Sequence, residues 1–189
     1  LTAPNGSAQQ ALLRAGIAQA AVSAQELACL EAAANGSPLG DPIDAGSVRA
    51  ALLAARTGGD PLAVGTAKAS VGHGETAAGA TGLLRLAVGL AGGHAFANAQ
   101  LRVVNAHVAA ALRESPCALP TQLADAPLRA SGVRYGEVNA FGYSGTLATA
   151  VLESGREGAA GALPAFAKPA YARRCFPWRE ALSEAKAGA

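Results

Sequence analysis

The stretch Lys68-Ala-Ser-Val-Gly-His73 places an ammonium and an imidazole five residues apart, just ahead of a Gly/Ala-rich run, and the rest of the chain is read outward from it. Upstream lies Ala33-Ala-Asn-Gly-Ser-Pro-Leu-Gly-Asp-Pro-Ile-Asp44, and downstream Asn139-Ala-Phe-Gly-Tyr-Ser-Gly-Thr146 runs into Leu147 to Leu152. Titratable side chains set among glycines, between apolar runs, have the form of half an active site.

Around these segments the pattern alternates between helix and strand. Ser7 to about Ala21 carries Leu12, Leu13 and Ile17 on one side, with Ser7 available as N-cap, and predicts an amphipathic helix. Leu27 to Ala32 reads as a buried strand. Asp41-Pro42 reads as a helix start, Asp as cap and Pro at the first helical position, for a helix to about Arg56 with Val48, Leu52 and Ala55 inward. Leu62 to Ala67 is a second strand. The next helix, Thr76 to Leu90, has one charged residue, Arg85, and apolar character all round predicts burial on nearly every face. Leu101 to Val104, Arg134 to Ala140 and Thr146 to Glu153 are further strands, with Gly145 permitting a tight turn between the last two. The expected architecture is a layered α/β/α arrangement.

Length and composition bound the function. A chain of 189 residues with 51 % hydrophobic residues is long enough for a sizeable core. The formal net charge of +2 comes from scattered Lys and Arg, which gives no support for nucleic-acid or membrane-surface binding. The longest apolar stretch, Leu86 to Leu101, is broken by Gly92, Gly93, His94 and Asn98 and is too short to span a bilayer. Cys29, Cys117 and Cys175 lack Cys-x-x-Cys spacing and read as reduced buried or linker thiols. No leader is visible at Leu1, so a cytoplasmic protein is expected, or a plastid one if a leader was removed. Gly72-His-Gly-Glu-Thr-Ala77 fits a loose dinucleotide fingerprint, but no Asp or Glu follows between Glu75 and Glu114. Ala80 stands where a phosphate loop needs its lysine, and His73, His94 and His107 show no metal-ligand spacing, so no metal is expected.

In order, the three segments resemble the C-terminal half of a polyketide synthase β-ketoacyl synthase, or ketosynthase. The family reads His-Gly-Thr-Gly-Thr-x-Leu-Gly-Asp-Pro-Ile-Glu, then Lys-Ser-x-x-Gly-His, then Phe-Gly-x-Gly-Gly-Thr-Asn-Ala-His. The resemblance implies a thiolase-like fold, of which residues 1–154 would be the C-terminal half only. Residues 155–189, ending in Tyr171-Ala-Arg-Arg-Cys-Phe-Pro-Trp178, would be the linker that follows a ketosynthase domain. It implies decarboxylative condensation of carrier-bound acyl thioesters, with an N-terminal half on another chain supplying the cysteine nucleophile. The partners implied are that half, an acyl carrier protein delivering its phosphopantetheine arm, and a dimer or larger assembly. By the same resemblance His73 would hydrogen-bond the thioester carbonyl, Lys68 would orient that imidazole, and the Tyr143 N–H would be an oxyanion donor. Asn35 and Ser37 stand where the family's threonines contact the pantetheine arm, and Phe141 is counted with them as substrate-binding.

The departures fall where chemistry would occur. Ala33 replaces the first histidine, Ser144 a glycine, and Leu147 and Thr149 the Asn and His of Asn-Ala-His. Gly40, Asp41, Pro42, Gly72, Gly79, Phe141, Gly142, Gly145 and Thr146 match the pattern. Scaffold kept and reactive groups thinned resembles the non-elongating ketosynthases. The other function class left open is a structural or interaction subunit derived from a ketosynthase fragment, a pseudoenzyme whose apolar helix is covered by other subunits.

Overall fold

The computed structural model describes residues 4–127 and 132–155. The linker expected over 155–189 lies outside them except for its first residue, and so does Cys175.

The chain forms α1 (Gly6–Gln19), β1 (Leu27–Glu31), α2 (Gly40–Ala51), β2 (Leu62–Gly65), α3 (Lys68–Val71), α4 (Ala78–Gly92), β3 (His94–Ala95), α5 (Ala106–Ala111), β4 (Cys117–Ala118), β5 (Ala124–Asp125), β6 (Tyr135–Phe141) and β7 (Leu147–Glu153). Five strands make the main sheet, in the order β4-β2-β1-β6-β7, while β3 and β5 pair separately. β1 runs parallel to β2, with Leu30 opposite Val64, and parallel to β6, with Leu30 opposite Glu137. β7 returns antiparallel on β6, placing Thr149 opposite Asn139. β1 is buried along its whole length, as a strand covered on both faces must be.

Two cores flank the sheet. Leu13 of α1, Val48 and Ala51 of α2, Leu52 just after it, and Leu27, Leu30 and Leu62 of the strands form one; Leu86 and Leu90 of α4 pack with Ala28, Cys29 and Val138 to form the other. Glycines let α4 lie close to the sheet: a Cβ at Gly82 would come 3.0 Å from Glu31 Cγ, and one at Gly89 2.7 Å from the His94 carbonyl oxygen.

The layered α/β/α expectation holds, with several corrections. The α1 cap is Asn5, whose side chain accepts from the Ala8 N–H, rather than Ser7, which already lies inside the helix. α2 begins at Gly40, so Pro42 is its third residue, and Asp41 turns its carboxylate to the preceding loop instead of the helix end. The helix gives way after Ala51 to a 3₁₀ turn over Leu53–Ala55; this buries Leu53 and leaves Ala55 exposed. Leu101 to Val104 is not a strand, because Asn98 bonds through its backbone N–H to the Pro120 carbonyl and through its side chain to Val64, turning the chain away from the sheet. α4 starts at Ala78 after a short 3₁₀ turn and is buried on one face only. Leu84 is 66 % and Val88 62 % exposed on the other, since nothing in the described residues covers them. No helix among the described residues is long and apolar enough to cross a membrane.

Candidate functional site

In parallel sheets of this kind, ligands bind outside the carboxyl ends of the strands, where neighbouring connections diverge. Here β1 continues through α2 to β2 on one side and is flanked by β6 on the other. A cavity of ≈ 110 Å³ opens at that place. Its walls include Ala33 after β1, Gly65 and Thr66 at the end of β2, and Asn139 and Phe141 at the end of β6, closed over by Val48 of α2 and Leu112 beyond α5. The first and third of the sequence segments therefore meet at one crevice, with the second beginning at its edge.

Each segment is held by its own polar bonds. The loop Asn35–Ser37 is organised by Asp41, whose carboxylate accepts the N–H groups of Asn35, Gly36 and Ser37 at 3.1, 3.0 and 3.2 Å. Ser37 Oγ accepts the Gly40 N–H at 3.0 Å, so it is Ser37 that satisfies the start of α2. Asn35 is exposed and its side-chain oxygen takes the Ser37 N–H.

Lys68 opens the one-turn helix α3, and its position is set by a buried acid. The Glu31 carboxylate, at the end of β1, accepts both the Ala67 N–H and the Arg85 guanidinium of α4. Burial pushes the Glu31 carboxyl above its usual range, with the Ala67 N–H and Arg85 working against that rise. Burial likewise lowers the Lys68 ammonium, opposed by the charges of Glu31, Asp44 and Asp41. α3 ends at Gly72, whose φ of 79° suits glycine, and the chain leaves the helix to present His73. His73 is exposed, with Nε2 3.8 Å from Glu75 Oε2.

The third segment is the turn between β6 and β7. Gly145, at φ 93°, allows it, and the Gly142 N–H closes it on the Thr146 carbonyl at 2.7 Å. Tyr143 sits at the tip, 83 % exposed, and its N–H has no acceptor among the described residues. Phe141 lines the cavity; Lys68, His73, Tyr143, Asn35 and Ser37 do not.

Four polar residues of this region were not singled out in the sequence. Asp44 lines the cavity wall, and its carboxyl is pushed up to about 6, chiefly by burial, against the opposing hydrogen bond from Gln9 Nε2 at 2.5 Å. Asn98 fastens the end of β2. Glu137 and Asn139 lie two apart on β6, on the face that also carries Phe141, and the strand period of two was the signal that pointed to them. Glu137 is fully buried and its carboxyl is raised to about 7 by burial. The thiols are inert by comparison, Cys29 being pushed up to about 11 and Cys117 also raised, both by burial.

Residues 1–102 match the family model described as Beta-ketoacyl synthase, C-terminal domain. The chain is 34 % identical over 154 residues to the highly reducing polyketide synthase azaB of Aspergillus niger, covering 82 % of this chain and 6 % of that protein. It is 34 % identical over 178 residues to the spectinabilin polyketide synthase system protein NorA' of Streptomyces orinoci, 94 % of this chain and 5 % of that one. It thus spans only a small part of the curated relatives it matches. Among solved structures, the oxazolomycin ketosynthase domain OzmH KS7 of Streptomyces albus superposes with a TM-score of 0.74 at 27 % identity, over 82 % of this chain and 27 % of that domain. A ketosynthase from module 6 of the bacillaene synthase of Bacillus subtilis gives 0.74 at 25 % identity, again over 82 % and 27 %. The chain belongs to the β-ketoacyl synthase family and has the thiolase-like fold of the C-terminal part of a ketosynthase.

Proposed function

We propose that this chain is the C-terminal part of a polyketide synthase ketosynthase that holds or passes on acyl groups without elongating them. The observation that carries the reading is Ala33. It forms part of the crevice wall at the carboxyl end of β1, in the place of the family's first histidine, and among the described residues no imidazole lines the crevice. A methyl group can neither polarise a malonyl carboxylate nor move a proton, and losing a general acid or base costs about 10²- to 10⁴-fold in rate.

The remaining groups suit a reduced role. His73 would hydrogen-bond a thioester carbonyl, Lys68 would set its orientation and field, and the unengaged Tyr143 N–H would donate to a developing oxyanion. The nucleophilic cysteine would come from an N-terminal half on another chain. The phosphopantetheine arm of an acyl carrier protein would supply the thioester, and the loop fits it. Ser37 Oγ accepts the Gly40 N–H and keeps its own proton to donate, while Asn35 offers an exposed carboxamide to the arm's amides. Phe141 would pack against the acyl group. The same reading places the protein with its carrier in the cytoplasm, or in a plastid behind a removed leader.

The exposed stripe Leu83, Leu84 and Val88 supports an obligate partner. It serves equally a second reading, in which the fragment is a non-catalytic subunit of a dimer or larger assembly. The test is release of carbon dioxide from malonyl-carrier by the protein completed with a cysteine-bearing half. The unaltered sequence should be slow and Ala33→His faster by at least about tenfold. Brisk decarboxylation by the unaltered protein overturns the non-elongating reading, and silence of both versions favours the structural subunit.

A further inference from the structure

We propose that Glu137, Thr149 and Asn139 form a proton-linked relay across β6 and β7, in which loss of the Glu137 proton reverses both hydrogen bonds and turns the Asn139 carboxamide over at the crevice wall. The relay is independent of the acyl chemistry proposed above. Thr149 is one of this chain's departures from the Asn-Ala-His pattern, so membership of the family does not supply it.

Proton counting carries the inference. The Thr149 hydroxyl lies 2.8 Å from Glu137 Oε1 and 2.7 Å from Asn139 Oδ1, with the Val138 carbonyl farther off at 3.2 Å. A hydroxyl has one proton to donate, and a carboxamide oxygen has none. Both short bonds are therefore made only when the Glu137 carboxyl is protonated: its O–H donates to Thr149 Oγ1, and the Thr149 O–H donates to Asn139 Oδ1. Burial favours this state. Glu137 is fully buried, its Oε2 has no partner among the described residues, and burial raises the carboxyl to about 7 against the opposing bond from Thr149.

Ionisation inverts the arrangement. Once the proton has left to solvent, the carboxylate can only accept, and Thr149 rotates its O–H onto Glu137 Oε1. Thr149 Oγ1 is then left facing Asn139 Oδ1, acceptor against acceptor, and a half-turn of the carboxamide brings Nδ2–H₂ round as the donor. One proton is lost and none is gained elsewhere. Because Asn139 lines the crevice, the turn exchanges nitrogen for oxygen at the other end of the amide, and the wall changes from donor to acceptor. The surrounding charges leave control with Glu137 itself. Arg14 of α1 is turned to Gln10 and the Ala50 carbonyl, Glu153 of β7 and Arg49 of α2 are exposed, and Glu31 of β1 is held by Arg85 of α4 on the other face of the sheet. Tyr135, two residues earlier on β6, packs into the first core. Asp41 and Asp44 of α2 border the crevice, and Asp44 titrates lower, at about 6.

The test is a pH titration of the ¹⁵N,¹³C-labelled chain, followed by NMR from about pH 5 to about pH 9. The Glu137 carboxyl carbon and the Asn139 side-chain nitrogen should move together with one midpoint, about 7. The nuclear Overhauser contact between the Asn139 side-chain N–H₂ protons and the Thr149 methyl should strengthen through that midpoint. Glu137→Gln keeps a donor at every pH and should hold the Asn139 resonances at their low-pH positions, while Asp44 titrates in both proteins and cancels in the comparison. Thr149→Val removes the hydroxyl and should shrink the Asn139 shift at least about threefold, and Thr149→Ser should restore it. If either variant does not fold, the paired midpoints and the contact in the unaltered chain still decide. Asn139 resonances that stay fixed or follow a midpoint other than that of the Glu137 carboxyl would overturn the proposal. So would a contact to Thr149 that does not change with pH, a transition retained in folded Glu137→Gln, or an equal Asn139 shift in folded Thr149→Val and Thr149→Ser.

Discussion

Glu137 should make the protein less stable as the pH rises from 4.5 to about 7, and Glu137→Gln should remove that dependence. The carboxyl lies fully buried between β6 and α1, bonded on one oxygen by Thr149 and without a partner on the other. Burial raises it from 4.5 to about 7. The folded state therefore keeps its proton where the unfolded chain releases it. The sign follows: this contribution to stability is fully present below 4.5, declines as the pH climbs to about 7, and is flat beyond. One shifted proton is worth about 1.4 kcal/mol per pH unit, so the gap between 4.5 and about 7 amounts to about 3 kcal/mol. With a urea slope of about 2 kcal/mol/M, the unaltered midpoint should fall by about 1.5 M more than that of the variant between pH 4.5 and pH 8. Asp44 and Glu31, also raised by burial, titrate in both proteins and cancel in the difference. Midpoints that fall in parallel for the two proteins would refute the assignment of a protonated, buried Glu137.

Asp41→Ala removes the acceptor of three loop N–H groups and should cost about 1–3 kcal/mol, with faster amide exchange at residues 35–37; Asp41→Asn should recover part of it. Gly89→Ala drives a methyl to 2.7 Å from the His94 carbonyl oxygen and 3.1 Å from Phe96, and should lower stability by about 1–3 kcal/mol despite the better helix propensity of alanine, as read from urea midpoints. The pair Leu84→Lys and Val88→Lys should leave far-UV circular dichroism and urea stability nearly unchanged, because both side chains are exposed, and should abolish co-purification with a cysteine-bearing half. Retained co-purification would move the partner surface elsewhere.

The elements legible in the sequence were those whose period is set by burial alone. β1 and β2 read correctly because covered strands are continuous apolar runs between turns, and the β6–β7 hairpin because Gly145 marked its turn. The two-residue strands β3, β4 and β5 gave no periodic signal at their length. α4 misled because apolar composition reads as burial all round, whereas among the described residues only the Leu86 and Leu90 side is covered. The ends of α2 were misread because Asp41 has two possible uses, and three loop N–H groups outweigh one helix end. At the site, the motif residues were visible as a pattern, but their polar supports were not. Glu31, Glu137 and Thr149 act through partners 36, 54, 12 and 10 positions away in sequence, separations that no local reading spans.

The way the first segment is built makes the fold of its loop independent of the side chain at residue 33. The loop after β1 is shaped by Asp41 and Ser37, which take the N–H groups of Asn35, Gly36, Ser37 and Gly40. None of those bonds passes through residue 33. Ala33 contributes only a methyl to the cavity wall, so the family's imidazole at this place would be a functional addition to a self-supporting loop. The same independence governs the rescue experiment. A histidine restored at 33 adjoins open volume rather than a packed core, so Ala33→His should fold with a urea midpoint near that of the unaltered chain. If instead it loses several kcal/mol, residue 33 is packed against its neighbours, the cavity is smaller in solution than ≈ 110 Å³, and a silent decarboxylation assay would then report misfolding rather than absent chemistry. Measured stability of that variant must therefore accompany its activity, and together they separate a site emptied of one group from a site closed by repacking.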